Sequence, residues 1–301
     1  MSVCPICGGE KKKEIGEKGR FRVFRCLDCR SVYTEKMSDD VESYDYSEYY
    51  EESNLTVPEF VRQSLRNTIS TFEKYRQNGR FLDVGCGAGI LLETAREKGW
   101  QAEGMEVSEP AVNHLREKGF QIFQGFLSEA DYPENHFDVV TMTEVIEHVD
   151  NPKEVLREIA RILRPNGLLW MTTPHANGLS IKLLGAKWSV VCPPEHLHLF
   201  SKKGLNDLLN EAGFTDCRFA THGVNPFEIL SHLKNRGQTS ENISSDTVNE
   251  AAEFDRNTSN YSLNSWFSGG RGKEQIKKTL NSVFSAAKLG DTLKVWATLE
   301  K

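Results

Sequence analysis

A glycine-rich turn stands between an apolar run and a helix-forming run of this 301-residue chain. Residues 83–89 read DVGCGAG, with the apolar residues 81–82 before them and the run 90–92, ILL, after them. A strand that ends in such a turn and continues as a helix exposes backbone N–H groups at the positive end of the helix. Because glycine has no Cβ, a ligand can approach that backbone closely. The turn therefore predicts an α/β fold with a site for a polar small molecule, typical of a nucleoside-containing cofactor.

The spacing of the glycines indicates which class of cofactor the turn binds. Gly85, Gly87 and Gly89 follow the acid Asp83 in a Gly-x-Gly-x-Gly pattern. The turn lacks the third glycine position of the dinucleotide fingerprint and the Gly-Lys-Ser/Thr of a phosphate-binding loop. Here the sequence resembles the class I S-adenosylmethionine-dependent methyltransferases, whose first motif is similar to DVGCGAG. The resemblance implies S-adenosylmethionine as cofactor and a doubly wound, Rossmann-like α/β fold with a seven-stranded sheet.

An acid at the end of the next expected strand strengthens this interpretation. Glu106 follows residues 101–105 and lies 23 positions after Asp83. A nucleotide-binding fold places an acid near this spacing on the ribose, whose vicinal hydroxyls can both donate to one carboxylate. The alternative is a solvated acid at a strand end. In the family, residues 126 and 127 fall where the chain closes over the adenine ring. The predicted cofactor contacts are Asp83, Gly85, Cys86, Gly87, Gly89, Glu106, Val107, Phe126, Leu127, Thr143 and Glu144.

Strand and helix patterns alternate through the rest of the chain. Such alternation predicts a doubly wound parallel sheet. Ser, Asn, Gly and charged residues dominate 236–272, a composition that does not favour a packed core and predicts a lid or a surface insertion. The expected organisation is a ribbon at 1–36, a linker and helical lid or entry segment at 37–79, and a methyltransferase domain at 80–301 with an insertion at about 223–290. The predicted elements include a buried strand at 136–142, an amphipathic helix at 151–163, a turn at 164–167, a strand at 168–171 and a closing strand at 292–299.

Four of the seven cysteines form a separate motif. Cys4 and Cys7 make one Cys-x-x-Cys pair, and Cys26 and Cys29 make another after 18 intervening residues. Two such pairs bring four thiolates to the corners of a tetrahedron, which is the arrangement of a closed zinc site. Free thiols or a redox site are the alternatives, but neither pair lies in a βαβ context. The motif predicts a zinc ribbon whose metal is structural, because no coordination position stays open for chemistry.

Composition bounds the class of protein. The net charge of −6 argues against a protein that coats nucleic acid. Within residues 1–40, nine basic residues face seven acidic ones, a weak excess for contacts to phosphate. The sequence has no apolar run long enough for a membrane span and no signal-peptide pattern at its start. These features predict a cytoplasmic enzyme, and they leave its oligomeric state open.

The segment 143–149, after the strand at 136–142, carries the first group of candidate functional side chains. Glu144, Glu147 and His148 have the i, i+3, i+4 spacing of one helix face. Ubiquinone-type O-methyltransferases carry a similar Glu-x-x-Glu-His stretch that is associated with a divalent metal. Many methyltransferases have nearly the same sequence without a metal. A role in lining the cofactor site or starting a helix is therefore favoured, with a second metal site as the alternative.

The segment 188–200 carries the second group. It contains two prolines followed by Glu195, His196 and His198. Histidine can accept a proton near neutral pH, which methyl transfer to a hydroxyl or an acidic carbon requires. Zinc-ribbon sugar C-methyltransferases show a comparable Glu-His-Leu-x-x-Phe/Tyr stretch, and the resemblance implies a histidine base. His196 is favoured, with His198 and His175 as alternatives. Because alternate residues of an extended segment face opposite ways, one of His196 and His198 is expected to be structural.

These features together predict an S-adenosylmethionine-dependent methyltransferase with a histidine general base. The acceptor would be an oxygen or carbon of a small molecule, and the resemblance favours a sugar, a nucleotide sugar or a glycan intermediate. The Asn/Asp-Pro-Pro-Tyr/Phe signature of base N-methylation is absent after the strand at 136–142. The alternative is an rRNA or tRNA methyltransferase that uses its zinc ribbon to bind RNA.

Overall fold

The structure is a computed structural model that describes residues 3–35, 59–235 and 287–299. Most of the predicted linker and of the insertion, 37–58 and 236–286, lies outside these residues, so the predicted lids there stay predictions. No helix in the three described ranges is long and apolar enough to cross a membrane.

Seven strands form the main sheet, and its parallel part explains where ligands would bind. The spatial order is β10-β11-β8-β7-β4-β5-β6. Strands β6, β5, β4, β7 and β8 run parallel, and β11 is antiparallel to both β8 and β10. The chain order reverses on either side of β4, so a crevice opens at the carboxyl ends of β4 and β7. The predicted doubly wound fold is confirmed. The strands are β4 Arg80–Val84, β5 Gln101–Glu106, β6 Gln121–Gln124, β7 Phe137–Thr143, β8 Leu163–Pro174, β10 Phe214–His222 and β11 Thr292–Leu299.

Side chains of the sheet alternate between two apolar cores. Phe81 of β4 packs in one core, while Leu82 and Val84 pack in the other. Helix α4 shows why these elements form: Pro152 occupies its first turn, the Asn151 side chain accepts from the Glu154 N–H at 3.4 Å, and its apolar face is buried. The helices are α1 Glu59–Ser70, α2 Ile90–Glu97, α3 Glu109–Glu117, α4 Pro152–Ile162, α5 Leu179–Leu184, α6 Lys202–Glu211 and α7 Pro226–Asn235.

The predicted turn at 164–167 is wrong. These residues belong to β8, which bulges where its pairing passes from Phe137–Leu163 to Val139–Leu168. Asn166 adopts a left-handed φ of 59° in the bulge. The bulge allows Arg164 to turn inward and pair with the buried Asp138.

The ribbon strands form a second, antiparallel sheet that takes a strand from the distant 188–200 segment. Its spatial order is β1-β2-β3-β9. The last two strands pair through Val32 with Leu199 and Tyr33 with His198. The strands are β1 Lys12–Lys18, β2 Phe21–Cys26, β3 Val32–Thr34 and β9 His198–Leu199.

Candidate active site

The glycine turn that follows β4 contains three residues with left-handed φ angles. The φ angles of Gly85, Gly87 and Gly89 are 69°, 50° and 75°, which residues with a side chain rarely adopt. A Cβ at Gly85 would lie 2.4 Å from Val145 Cγ2, and one at Gly89 would lie 2.2 Å from Leu115 Cδ2. Packing against neighbouring segments therefore requires glycine at 85 and 89. The same contact places the turn directly beside residue 145, at the end of β7.

The predicted ribose acid is brought to this turn. The Glu106 Oε2 atom accepts from the Gly87 N–H at 2.9 Å, and Oε1 accepts from the N–H groups of Val107 and Ser108 at 2.8 and 3.0 Å. These bonds fix the carboxylate of Glu106 between the ends of β4 and β5. An acid that is held by the glycine turn itself fits the cofactor role better than the solvated alternative, since only 5% of Glu106 is exposed.

Two other residues of the turn have buried side chains. Asp83 accepts a 2.6 Å hydrogen bond from the Thr141 hydroxyl, and burial raises its pKa to about 8, with the nearby Glu106 carboxylate adding to the effect. The Cys86 side chain packs toward Gly104, and burial raises the pKa of its thiol. Both side chains are therefore part of the scaffold beneath the turn.

The predicted adenine-flanking pair divides between surface and core. The Phe126 ring is 63% exposed, while Leu127 packs in the core that lies beneath β6 and β7. The Phe126 N–H donates to the Glu129 carboxylate at 2.7 Å, which fixes the backbone at this point. Of the two, Phe126 is thus the side chain that presents an apolar ring on the surface.

The predicted helical face at 143–149 is wrong. Glu144 has a left-handed φ of 52°, which interrupts any helix, and only Ile146–His148 form a single 3-10 turn. Thr143 is half-buried at the end of β7 and Glu144 is exposed.

Glu147 lies within this 3-10 turn and is fully buried. Its Oε2 accepts from the Thr173 hydroxyl at 2.9 Å, and its Oε1 has no hydrogen-bond partner among the described residues. Burial raises the pKa of Glu147 well above the ordinary range, and the neighbouring Glu144 carboxylate adds to the rise. A buried carboxylate with so few donors is typical of functional sites.

Two histidine rings meet next to Glu147. The rings of His148 and His196 pack edge to face, with centroids 4.6 Å apart. His148 Nδ1 donates to the Glu195 carbonyl at 2.9 Å, and His196 Nδ1 donates to the Val190 carbonyl at 2.7 Å. A carbonyl only accepts, so in each neutral ring Nε2 carries the lone pair. Ligand-type atoms of Glu147, His148 and His196 lie within 4.8 Å of one another, so this histidine cluster can share a proton or hold a cation.

The expectation that His196 and His198 face opposite ways is wrong, because residues two apart in an extended segment lie on the same face. Both contact the 143–149 segment: the His196 ring packs against His148, and His198 Nε2 donates to the Val149 carbonyl at 3.1 Å. The residues before His196 form a turn, since the N–H groups of Glu195 and His196 both donate to the Cys192 carbonyl. Only His198 lies in a regular strand.

The hydrogen bonds of His175 connect it to a different part of the molecule from the histidine cluster. Its Nδ1 donates to the Gly290 carbonyl at 2.9 Å, and its N–H donates to the Asp291 carbonyl. Burial lowers the pKa of His175. These contacts join the end of β8 to the start of β11.

Sequence reasoning missed Cys192. Its thiol donates to Glu195 Oε2 at 3.4 Å, and it forms with Glu195 and His196 a second group of ligand-type atoms within 4.8 Å. The Cys-x-x-Glu-His spacing of residues 192–196 was the available signal.

The four predicted metal ligands converge in the ribbon. Cys4 Sγ lies 3.8 Å from Cys29 Sγ, Cys7 Sγ lies 3.6 Å from Cys26 Sγ, and all four fall within 4.8 Å. Tetrahedral Zn–S bonds place their sulfurs about 3.8 Å apart, so these side chains fit a zinc ion. The Cys29 N–H also donates to Cys26 Sγ at 3.5 Å, a contact that is common around metal-bound thiolates.

Comparisons with known proteins agree with this architecture. The "Methyltransferase domain" family model matches residues 57–218, more than half of the chain. A ubiquinone biosynthesis O-methyltransferase of Thiobacillus denitrificans is 35% identical over 168 residues, which span 52% of this chain and 72% of that protein. Its counterpart in Stutzerimonas stutzeri is 33% identical over 133 residues, or 41% of this chain and 57% of that protein.

Solved structures share the fold at low identity. A SAM-dependent methyltransferase from Archaeoglobus fulgidus superposes with a TM-score of 0.53 at 18% identity, over 84% of this chain and 100% of that one. Phosphoethanolamine N-methyltransferase 2 of Haemonchus contortus, in complex with S-adenosyl-L-methionine, superposes with a TM-score of 0.53 at 16% identity. The match covers 97% of this chain and 71% of that one. The chain belongs to the methyltransferase domain family and is a class I S-adenosylmethionine-dependent methyltransferase.

Proposed function

We propose that this enzyme transfers a methyl group from S-adenosylmethionine to a hydroxyl oxygen of a small molecule, with His196 as general base. The observation that carries the proposal is the histidine cluster, Glu147, His148 and His196, beside the cofactor turn. Val145 contacts the position of Gly85, and Glu147 follows it by two residues. A base at this place lies at the carboxyl edge of the sheet, where α/β folds bind ligands.

The cofactor would bind along the glycine turn. Gly87 and its two glycine neighbours offer backbone close to the ligand, and Glu106 would accept from the ribose hydroxyls. The exposed ring of Phe126 would cover one face of the adenine, with Leu127 supporting it from the core. The other predicted contact residues would contribute to the shape of the site, and we assign none of them a hydrogen bond to the cofactor. They are Asp83, Cys86, Val107, Thr143 and Glu144.

The two nitrogens of the His196 ring would have separate tasks. Its Nδ1, bonded to the Val190 carbonyl, holds the ring in one orientation, and Nε2 would take the hydroxyl proton as the acceptor attacks the methyl group. His148 packs edge to face on this ring and limits its rotation. Positioning alone can contribute about 7–11 kcal/mol to such transfers, so removal of the base would slow an oxygen transfer without abolishing it.

His198 and His175 have structural contacts that fit them less well to the role of base. His198 sits in β9, where its ring nitrogen lies against the Val149 carbonyl. His175 is bonded to the Gly290 carbonyl, and its lowered pKa weakens it as a proton acceptor. We therefore assign both to holding the acceptor side of the site together.

The relatives bear on the acceptor. The proteins quoted above are named for O-methylation in ubiquinone biosynthesis. They favour oxygen over carbon and give no support to a sugar, nucleotide sugar or glycan acceptor. Nothing in the comparisons supports the RNA methyltransferase alternative.

The four-cysteine site would hold a structural Zn2+. All four positions of a tetrahedral ion would be filled by Cys4, Cys7, Cys26 and Cys29, which leaves no position for a substrate. Metal analysis of the purified protein should find one zinc per chain, and replacement of Cys26 by Ser should abolish it.

The function is tested by incubating the protein with methyl-labelled S-adenosylmethionine and separate small-molecule and RNA fractions of a bacterial extract. Label should appear in the organic-extractable or small-molecule products, and a panel of phenols, alcohols and sugars then defines the acceptor. Label in precipitable RNA would contradict the proposal. Turnover that a chelator abolishes while ribbon zinc is retained would show that the histidine cluster holds a cation instead of accepting the proton.

A further inference from the structure

The ribbon is joined to the segment that carries the histidine base. Strand β3 is hydrogen-bonded to β9, and the Thr34 N–H donates to the Leu197 carbonyl at 3.2 Å. Leu197 is the residue between His196 and His198, and its own N–H donates to the Glu147 carbonyl at 2.9 Å. Backbone bonds thus run from the ribbon through residue 197 to the turn that bears Glu147.

A buried pair of serines joins the second Cys-x-x-Cys pair to the residue that follows the 188–200 segment. Ser201 N–H donates to Ser31 Oγ at 3.0 Å, and the Ser201 hydroxyl donates to the Cys29 carbonyl. Both serines are fully buried. Ser201 Oγ also accepts from the Gly204 N–H at 2.8 Å and so caps α6. The backbone of Cys29, a predicted metal ligand, is therefore hydrogen-bonded to the residue that caps a helix of the methyltransferase domain.

Arg25 makes a third connection, next to Cys26 in the chain. Its Nη1 donates to the Ala176 carbonyl at 2.8 Å and to Asn177 Oδ1 at 3.0 Å. Both acceptors lie just beyond β8, at the start of the loop that leads to the 188–200 segment. Arg22, on the same strand, instead pairs with Glu14 within the ribbon.

An apolar cluster fills the space between these bonds. Val23 and Val32 of the ribbon pack with Trp188, Val191 and Leu199, all of them buried. By contrast, β4 and β5, which carry the glycine turn and Glu106, are hydrogen-bonded to each other and to β6 and β7. The ribbon thus supports the acceptor side of the crevice, and the cofactor side is built from other strands.

We propose that the metal-loaded ribbon is a positioning device for the acceptor side of the active site. Metal at the four cysteines holds β2 and β3 in place, and these strands fix residues 188–200, so that His196 is set against Glu147 and His148. Arg25 and Ser31 are the positioning residues. This inference rests on the proposed role of His196 as base, but the order of residues 188–200 can be measured without it.

The first experiment compares zinc-loaded and zinc-stripped full-length protein. Hydrogen exchange in residues 188–200 should speed up by about tenfold or more for each interstrand bond that is lost. Calorimetry with S-adenosylmethionine should give the same Kd, within about threefold, in both samples. Unchanged protection of residues 188–200 would overturn the proposal. Loss of cofactor binding on stripping would also overturn it, because the ribbon would then stabilise the whole fold.

The second experiment keeps the metal and removes one connection. Arg25→Gln should speed up exchange in residues 176–200 with a full zinc complement, and the matched control Arg22→Gln should not. With an acceptor from the extract assay, Arg25→Gln should lower kcat and leave cofactor Kd unchanged. Equal effects of the two variants would overturn the proposal. If the exchange results hold but His196→Ala has full turnover, the positioning role stands and the assignment of the base fails.

Discussion

Buried carboxylates occupy both edges of the main sheet, and their partners differ sharply. At the amino-terminal edge, Asp138 Oδ2 accepts from the N–H groups of Gln77, Asn78 and Gly79 at 2.7, 2.9 and 2.7 Å. Its Oδ1 pairs with the Arg164 guanidinium. This carboxylate has a donor for each of its oxygens and a full opposite charge.

At the carboxyl-terminal edge, within the part of the chain that the structure describes, Glu147 accepts from one side-chain hydroxyl and Asp83 accepts from another. Burial raises the pKa values of both, and no salt bridge to either carboxyl lies among the described residues to offset desolvation. The carboxylate at the amino-terminal edge thus contributes to stability, whereas those at the carboxyl-terminal edge carry a desolvation cost of the kind that functional sites often retain. Substitutions at the two edges should therefore have opposite consequences.

The largest effect is expected at the amino-terminal edge. Asp138→Ala leaves the buried Arg164 charge and three backbone donors without their acceptor, and should lower the free energy of unfolding by about 3–5 kcal/mol. Urea denaturation measures it. The exposed ion pair of Lys203 with Asp207 is the control, since Asp207→Ala should leave the free energy of unfolding nearly unchanged. A loss below about 1 kcal/mol for Asp138→Ala would remove the contrast between the edges.

Glu106→Gln should mainly affect binding. Its carboxylate accepts three backbone N–H bonds, and an amide can match only part of them. We expect cofactor affinity to fall by about 10–100-fold, in line with about 1.5–3 kcal/mol for a charged hydrogen bond. Calorimetry with S-adenosylmethionine gives the value. An unchanged Kd would show that Glu106 only braces the turn.

Asp83 should make stability depend on pH. Its folded pKa of about 8 exceeds the ordinary carboxyl value of 3.8, so the folded state retains a proton that the unfolded state releases. The contribution of Asp83 to the free energy of unfolding should therefore be largest at low pH. It should fall as the pH rises from about 4 to about 8, by at most about 1.4 kcal/mol per pH unit, and then level off. Denaturation of Asp83→Asn across this range should show a flatter profile. A wild-type profile that rises there relative to the variant would reverse the assignment.

Glu147→Gln should have the smallest effect on stability. Removal of a poorly solvated carboxylate spares its desolvation cost, so unfolding free energy at pH 7 should stay within about 1 kcal/mol of wild type or increase. Turnover should nevertheless fall, because the histidine cluster loses its only carboxyl group, which can take up or release a proton. A destabilisation equal to that of Asp138→Ala would mean that both edges are structural.

Local signals predicted the cofactor side well. The glycine turn, the acid at the end of β5, the capped helix α4 and the closing strand β11 each depend on residues close in sequence, and the structure has them where the pattern indicated. The convergence of the two cysteine pairs was equally predictable, because two Cys-x-x-Cys pairs are a common ligand set of closed four-cysteine metal sites.

The acceptor side was less predictable because long-range contacts decide it. The pairing of β3 with β9 joins residues 33 and 198, which no local pattern specifies. The bulge at 164–167 accompanies the long-range ion pair of Arg164 with Asp138, and the left-handed Glu144 breaks the helix that the Glu-x-x-Glu-His spacing suggests. The turn at 192–196, which precedes β9, depends on bonds to the Cys192 carbonyl.

The central claim is that the carboxyl-terminal edge accepts the proton at His196. The most direct measurement is kcat at saturating S-adenosylmethionine for wild type and His196→Ala, together with the cofactor Kd of each protein by calorimetry. The account predicts that kcat falls by about 10²-fold or more and that the Kd changes by less than about threefold. Loss of cofactor affinity, or turnover equal to wild type, would contradict it.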